Sequence, residues 1–458
     1  MGKRKLFFIL VAVLTLVLTG CGLRSPEQLY TLPKPSTEYE SLQNRLDALL
    51  SGGYEYAAPR SGANTQSVQM EDLDGDGTDE AIAFFRDTTG GEKPMKICIF
   101  RFDGEGGYEH VITIEGEGDA INSVVYCQLN DRRDNAGNAP QEIVVGWRIS
   151  NTVYTLSAYS IENDNVVQVM SMPGYTLYSV KDLDQDNQAE IVSVLMTSAE
   201  EGGNTASYYN WAEDTMMYVN SIPLSVSGSS LDGIQYGYLV EEYPALYVNA
   251  YHRDSMSNSY IVTDILTVVD GLLKNITLDH ATGDSNTNHL ATTDLKDINN
   301  DHVLELPVPR VLNSDGQDTY NVINWMQYTV EGEALPTGYT YHNLADAWYF
   351  DIPMSWLSTL RIKRFDTNSG ATVERSISFY YHNPKTDEDI PFLNFYKNTG
   401  SNRNSRATQG ERFLLATDSE ATYSAELLTI QGSQFDCGLD AKGVAERFHL
   451  ILTDWSAD

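Results

Sequence analysis

Most of the chain consists of short runs in which apolar and polar residues alternate, and β-branched and aromatic residues are frequent among the apolar ones. Examples are MKICIFRFD at residues 95–103, YEHVITIEG at residues 108–116 and TVYTLSAYSI at residues 152–161. A two-residue period is typical of half-buried β-strands, and turn-forming clusters separate these runs. In residues 259–277 the pattern predicts two strands joined by a tight turn at Asp270-Gly271. We therefore predict a mainly β structure.

Helical periodicity is found before this β-rich region. Thr37 and Glu40 fit a capping box, which predicts a helix that begins there and ends before Gly52. Its apolar face would be formed by Leu42, Leu46, Leu49 and Leu50. We assign residues 37–65 to this helix and its lead-in, and residues 66–345 to the β-rich region.

The pattern changes again in residues 346–458. Strands are predicted at residues 360–366, 371–382, 391–397, 411–417 and 422–428. A final helix is predicted from residue 441 to about residue 452, with Asp440 as its N-cap. This part of the chain is therefore predicted to be a small C-terminal α+β domain, in which the helix packs on an antiparallel sheet.

One acidic pattern occurs three times within the β-rich region, and each copy is nine residues long. The copies are DLDGDGTDE at residues 72–80, DLDQDNQAE at residues 182–190 and DINNDHVLE at residues 297–305. Each places oxygen-bearing side chains at positions one, three and five and a glutamate at position nine. Ca²⁺ prefers several oxygen ligands of this kind, and the carbonyl of position seven adds another. The loops are too short, and their flanks too strand-like, for an EF-hand.

The pattern therefore predicts up to three structural Ca²⁺ sites. The side-chain ligands would be Asp72, Asp74, Asp76 and Glu80 in the first loop, Asp182, Asp184, Asp186 and Glu190 in the second, and Asp297, Asn299, Asp301 and Glu305 in the third. The position-seven residues are Thr78, Gln188 and Val303.

These loops resemble the calcium loops of FG-GAP/VCBS-type repeats, as in the integrin α-subunit propeller, whose pattern is D-x-D-x-D-G-x-x-[DE] before an outgoing strand. The first loop fits all of it, including Gly77, whereas Asn187 and His302 replace the glycine in the other two. Asn and His tolerate a positive φ better than most residues, so the turn is expected to survive. The resemblance implies a β-propeller with calcium-type loops, and it implies no catalytic activity.

The spacing of the repeats predicts about five blades. A glutamate followed by apolar residues occurs at Glu80, Glu142, Glu190 and Glu305, and residues 244–250 form a weaker copy. A period of about 50 to 60 residues is the length of a four-stranded propeller blade with generous loops. Two of the units lack the acidic loop.

The first 21 residues are typical of a signal peptide. Lys3, Arg4 and Lys5 precede an apolar run at residues 6–18 that is too short to span a bilayer comfortably. Residues 18–21, LTGC, resemble a bacterial lipobox, which implies that Cys21 carries a lipid and anchors the protein to the cell membrane, facing outside the cytoplasm. Residues 22–36 are rich in proline and are predicted to be a tether.

Charge and motifs narrow the functional classes. The formal net charge of −34 argues against nucleic acid as a partner, because phosphate is bound by Lys and Arg. The chain contains no H-E-x-x-H, G-x-S-x-G or Walker motif, so no catalytic residue is assigned. Cys98, Cys127 and Cys437 lack metal-type spacing. The sequence does not decide whether Cys98 and Cys127 form a disulfide.

The resulting expectation is an acidic cell-surface lipoprotein whose calcium-stabilised propeller acts as a binding or scaffold module for a protein or glycan ligand. One alternative is an envelope enzyme that acts on glycans from a propeller face. Another is an accessory or assembly factor of an envelope complex.

Overall fold

The computed structural model describes residues 37–104, 106–133, 139–162, 165–198, 200, 202–253, 259–315, 318–369, 372–428 and 435–451. The predicted signal peptide, Cys21 and the tether lie outside the described residues. The chain divides into two compact units, the first made of Met1–Val124, Trp147–Ile149 and Ile161–Val167 and the second of Val125–Gly146, Ser150–Ser160 and Gln168–Asp458. Within the described residues, no helix has the length and apolar character needed to cross a bilayer.

The predicted N-terminal helix is present as α1 (Thr37–Ser51). Leu42 and Leu46 are buried and pack in a cluster with Ala81, Ala83 and Phe85, while Leu49 and Leu50 cover its margin. The helix ends where Gly52 donates to the carbonyl of Ala48 and Gly53 takes a φ of 101°, a conformation that glycine adopts without strain.

The prediction of a mainly β structure is confirmed, because the described chain is a series of small sheets built largely from consecutive strands. The first sheet contains β1 (Tyr54–Tyr56), β2 (Val68–Glu71), β3 (Glu80–Asp87), β4 (Met95–Phe102) and β5 (Tyr108–Gly116). The second contains β6 (Ala120–Cys127), β7 (Glu142–Arg148), β8 (Tyr154–Glu162) and β9 (Asn165–Pro173). The third contains β10 (Leu177–Lys181), β11 (Glu190–Leu195), β12 (Thr205–Ala212) and β13 (Thr215–Pro223).

Later sheets follow the same antiparallel plan. The fourth contains β14 (Gly228–Tyr238), β15 (Pro244–Arg253), β16 (Ser259–Val269) and β17 (Leu272–Asn275). A short hairpin of β18 (Leu278–Asp279) and β19 (Asp284–Ser285) comes next, and β20 (His289–Leu290) then pairs with β16. The predicted turn between β16 and β17 is confirmed, with positive φ at both Asp270 and Gly271.

Two further sheets follow. The fifth has the order β21 (Leu306–Asp315), β22 (Asp318–Tyr328), β23 (Ala334–Asn343), β24 (Trp348–Asp351) and β30 (Phe448–Leu450). The sixth contains β25 (Leu360–Ser369), β26 (Thr372–Asn383), β27 (Glu388–Gly400), β28 (Phe413–Thr417) and β29 (Ala421–Leu427), with the short helices α2 (Arg403–Ala407) and α3 (Ala441–Glu446). β23 belongs to the predicted β-rich region (residues 66–345), and β24 belongs to the predicted C-terminal domain (residues 346–458). The two strands pair within one sheet.

The strands that begin at Glu80, Glu142 and Glu190 are buried on both faces, whereas β21, which follows Glu305, is buried only at its start. β3, β7 and β11 begin at Glu80, Glu142 and Glu190, and nearly all of their residues are buried. Burial on two faces explains why these segments are continuous apolar runs, whereas neighbours such as β5 alternate.

The predicted final helix is wrong in its second half. Asp440 caps α3 as expected, accepting from the backbone N–H of Gly443 at 2.8 Å, but the helix ends at Glu446. Phe448 then packs against Trp348 and Phe395, and its strand pairs with β24. Burial of this aromatic side chain outweighs the helical periodicity that the sequence alone displays.

An aromatic core is shared by the fifth and sixth sheets. Phe395 is its centre, with ring centroids 4.9 Å from Trp348, 5.0 Å from Phe350, 5.2 Å from Phe379 and 5.9 Å from Phe448.

Replacing Phe395 with alanine should lower the free energy of unfolding by about 3–5 kcal/mol, because a buried ring is lost and a cavity remains. Urea denaturation followed by tryptophan fluorescence measures the change. The matched control is Phe365→Ala on β25, where the ring is 49% exposed and the expected loss is below about 0.5 kcal/mol. Equal losses in the two variants would contradict this assignment of the core.

Candidate metal-binding loops

The three acidic loops occupy equivalent places in their sheets. The residue before each loop lies opposite the position-nine glutamate in an antiparallel pair: Glu71 with Glu80, Lys181 with Glu190, and Lys296 with Glu305. Each loop is therefore the turn between an incoming strand or bridge and an outgoing strand.

The loops also share one internal hydrogen-bond pattern. The position-one aspartate accepts from the backbone N–H of position six, at 2.8 Å in the first loop, 3.0 Å in the second and 2.9 Å in the third. The position-three side chain accepts from the N–H of position five, and the position-five aspartate accepts from the N–H of position seven. Because these bonds hold one carboxylate or amide oxygen of each residue, alternate side chains are turned towards the inside of the loop.

Positive φ angles make this turn possible. They occur at positions four and six of every loop, namely at Gly75 and Gly77, Gln185 and Asn187, and Asn300 and His302. The expectation that Asn187 and His302 take the conformation of the glycine is confirmed, with φ of 69° and 70°. The sequence departures therefore leave the backbone of the turn unchanged.

The position-nine glutamate connects each loop to its sheet. Glu80, Glu190 and Glu305 are buried, and each accepts from the backbone N–H of position two, at 2.9, 2.7 and 2.9 Å. Glu142 makes the same bond, with Leu129 at 2.8 Å, although its loop lacks the alternating aspartates. The glutamate is thus common to four units, and the acidic ladder is present in three of them.

Burial changes the ionisation of these glutamates. Loss of hydration is the largest cause in each case, and it raises the pKa of Glu80 to about 7, of Glu190 to about 8 and of Glu305 to about 7. Neighbouring aspartates raise these pKa values further. A bound cation would favour the ionised form and remove this cost.

A side chain from a later strand of the same sheet reaches each loop. Arg101 on β4 lies 3.4 Å from Glu80 and 3.3 Å from Asp74, and Asn210 on β12 donates to Asp184. Gln327 on β22 donates to both Asp301 and Glu305, and Ser160 on β8 donates to Glu142. Sequence reasoning missed these residues. One sequence feature could have identified them: in the units of Glu80, Glu142 and Glu305, a polar residue follows the glutamate by 18 to 22 positions.

The second loop has the arrangement best suited to a cation. Asp182, Asp184, Asp186 and Glu190 each offer one oxygen within 4.8 Å of the others, and Glu190 Oε1 has no hydrogen-bond partner among the described residues. In the first loop Asp72, Asp74 and Glu80 come together in this way, but Arg101 already balances part of their charge.

The third loop differs, because the carboxylates of its described residues form no such group and Gln327 donates to two of their oxygens.

The chemistry of these ligands favours one class of metal. A set of carboxylate oxygens binds Ca²⁺ in preference to softer metals.

Cys98, Cys127 and Cys437 are free thiols, so the Cys98–Cys127 disulfide is absent.

Comparisons with known proteins assign no family. No protein-family model matches the chain, and no curated protein matches it. Among solved structures, a protein from Lactobacillus plantarum is 10% identical over 73% of this chain and 86% of that one, with a TM-score of 0.30. Sqt1 from Saccharomyces cerevisiae is 11% identical over 76% and 82% of the two chains, with a TM-score of 0.28. TM-scores this low do not establish a common fold.

The raised pKa values predict how the metal-free protein responds to pH. Since the folded-state pKa lies above the unfolded value of 4.5, these glutamates contribute stability that is complete below about pH 4.5 and is lost as pH rises through 7 to 8. In the presence of a chelator, the free energy of unfolding should fall by at least about 1 kcal/mol between pH 6 and pH 9. Urea denaturation at a series of pH values measures it.

The combined variant Glu80→Gln, Glu190→Gln and Glu305→Gln should lose most of this slope. The control carries Glu92→Gln, Glu117→Gln and Glu333→Gln at three exposed positions and should keep it. A slope that survives in the first variant would show that other groups cause the pH dependence.

Proposed function

We propose that this protein is a lipid-anchored, calcium-stabilised β-propeller of the FG-GAP/VCBS type, which acts at the bacterial cell surface as a binding or scaffold module. The observation that supports the proposal most directly is the common geometry of the three acidic loops. Three nine-residue segments of different sequence share the same ladder of hydrogen bonds, the same two positive φ positions and the same buried glutamate.

The succession of sheets supports the propeller. Each of the first four sheets is built mainly from strands that follow one another along the chain, and the glutamate-led strand is an inner member of the first three. Repeated four-stranded antiparallel units of 50 to 60 residues are the building blocks of propellers. On this basis we propose about five blades.

Calcium in these loops would be structural. All of its predicted ligands come from one loop, so the ion would fix the turn between two strands. A site with a Kd of about 0.1 mM in about 1 mM calcium adds roughly 1.4 kcal/mol of stability. Three such sites add about 4 kcal/mol, a large share of a typical margin of about 5–15 kcal/mol.

Attachment to the membrane is proposed from the sequence alone, through a lipid on Cys21. The strongly acidic body favours solubility and cation binding, and it disfavours direct contact with anionic headgroups. A propeller held on a tether would present its loops to partners outside the cell, which is why we propose binding as its role.

Substituting Asp186 with asparagine should reduce the stabilisation by 1 mM calcium by about 1.4 kcal/mol, because the second loop loses a charged ligand. The bond from the N–H of Gln188 to the Oδ1 of residue 186 can persist. The exposed bond from Gln188 Nε2 to Oδ2 is lost while repulsion with Asp184 decreases, so metal-free stability should change by less than about 0.5 kcal/mol. Thermal unfolding with and without calcium measures both quantities.

The matched control is Asp79→Asn, the same substitution at an exposed aspartate in position eight of the first loop. It should keep the full calcium response. If the two variants respond equally, or if calcium stabilises neither the parent nor the control, the second loop is not a calcium site.

Glycan and peptide arrays probed with the purified mature protein test the role itself. We expect saturable binding that leaves the ligand chemically intact. Release of a product from a bound glycan, followed by mass spectrometry, would replace the binding role with that of an envelope enzyme.

A further inference from the structure

Arg447 is a half-buried arginine whose guanidinium has no acceptor among the described residues. Each of the other half-buried arginines of the described residues gives its guanidinium to a carboxylate or a backbone carbonyl; examples are Arg148 with Asp119, Arg375 with Asp346 and Arg412 with Glu374. The side chain of Arg447 makes no hydrogen bond or ion pair with any described residue. None of its nitrogens is among the buried polar atoms that lack a partner, so the guanidinium keeps access to solvent and can receive an anion from solution.

The geometry around Arg447 is that of a binding cleft. Its backbone carbonyl accepts from the N–H of Asp351 at 3.0 Å, next to the register pair of Tyr349 and His449 on β24 and β30. These four residues line a cleft of about 590 Å³, which lies within the size range of sites for small molecules.

Aromatic and hydrogen-bonding groups lie beside Arg447 in the cleft. The ring of His449 stacks on Tyr349 with centroids 4.6 Å apart, and its Nε2 lies 3.1 Å from Asp351 Oδ2. Both rings are partly exposed, and Met354 at the margin is 60% exposed. The cleft thus offers a flat aromatic surface beside Arg447 and the carboxylate of Asp351, and Lys296 and Asp297 also line it.

These features favour a carboxylate over a phosphate as the group that pairs with Arg447. Arginine binds both anions in a forked geometry. Lys296 and Arg447 face Asp297 and Asp351 in the same cleft, and this balance of two cations and two carboxylates suits a ligand group with one negative charge better than one with two. The Asp351 carboxylate already contacts His449 through Oδ2, and its remaining acceptor capacity suits the hydroxyl groups of a ligand.

We propose that this cleft binds a sugar acid of the uronic-acid class, with its carboxylate on Arg447, its hydroxyl groups on Asp351 and its ring against the Tyr349–His449 pair. This inference deepens the proposed binding role and rests on it for its biological meaning. Arg447, Asp351, Tyr349 and His449 lie outside the acidic loops, and Asp297 of the third loop contributes to the lining of the cleft.

Isothermal titration of the purified mature protein with glucuronate, galacturonate and mannuronate tests the assignment. At least one of the three should bind ten-fold or more tightly than glucose, glucose 6-phosphate and N-acetylglutamate. Arg447→Met should weaken that affinity at least ten-fold, and Arg447→Lys should weaken it less because a positive charge is kept. Arg310→Met, at an exposed arginine of β21 that does not line the cleft, should leave it unchanged.

A preserved thermal unfolding midpoint shows that the Arg447 variants are folded. Stronger binding of glucose 6-phosphate or N-acetylglutamate than of every uronate would overturn the ligand class. Uronate affinity that survives Arg447→Met, or absence of uronate binding, would overturn the site. If the arrays detect another ligand while no uronate binds, only the cleft assignment fails. If uronates bind but calcium does not stabilise the protein, the calcium-propeller proposal fails alone.

Discussion

The described β-structure depends on a carboxylate that is placed out of water at the start of a strand. Four times, a buried glutamate accepts from the backbone N–H of a residue in the preceding turn, and so ties the turn to the sheet. Removing a carboxylate from water is unfavourable unless donors or cations surround it. The surrounding residues differ from unit to unit: Arg101 supplies a cation in one, Gln327 an amide in another, and Asn130 and Ser160 neutral donors in a third. In the second acidic loop Glu190 Oε1 has no such partner among the described residues, which is why calcium is proposed there first.

Much of this organisation could be predicted from the sequence because it is local. The loops are defined by residues within nine positions of one another, and Asn187 and His302 were expected to replace glycine because their own backbone preferences allow it. The helix α1 and the hairpin turn at Asp270-Gly271 are local in the same sense. What the sequence did not reveal depends on residues brought together from a distance. Arg101 and Gln327 lie within strands whose apolar pattern gives no sign that one side chain contacts a loop. The local pattern around Phe448 predicts a helix, because its partner Trp348 is about a hundred positions away and leaves no local signal.

Because the final helix was predicted wrongly, the cleft could not be predicted from the sequence. A helix from residue 441 to residue 452 would place Arg447 and His449 on nearly opposite faces, with no reason to relate them to Asp351. The pairing of β30 with β24 brings these residues together and places Phe448 in the aromatic core on the same strand. One buried ring therefore both stabilises the fifth sheet and positions the cleft residues, so that packing and recognition are coupled through adjacent residues.

β30 is the last strand of the fifth sheet to be synthesised, although it pairs with a strand made about a hundred residues earlier. β24 emerges from the ribosome long before its partner, and all five strands of the sixth sheet are made in between. Until then the outer edge of β24 is an unpaired template for any other extended chain, which is the condition that favours misassembly. Nascent molecules should therefore be most vulnerable to aggregation during this interval, and a protease that nicks the connection before β30 would reopen the same edge in the mature protein.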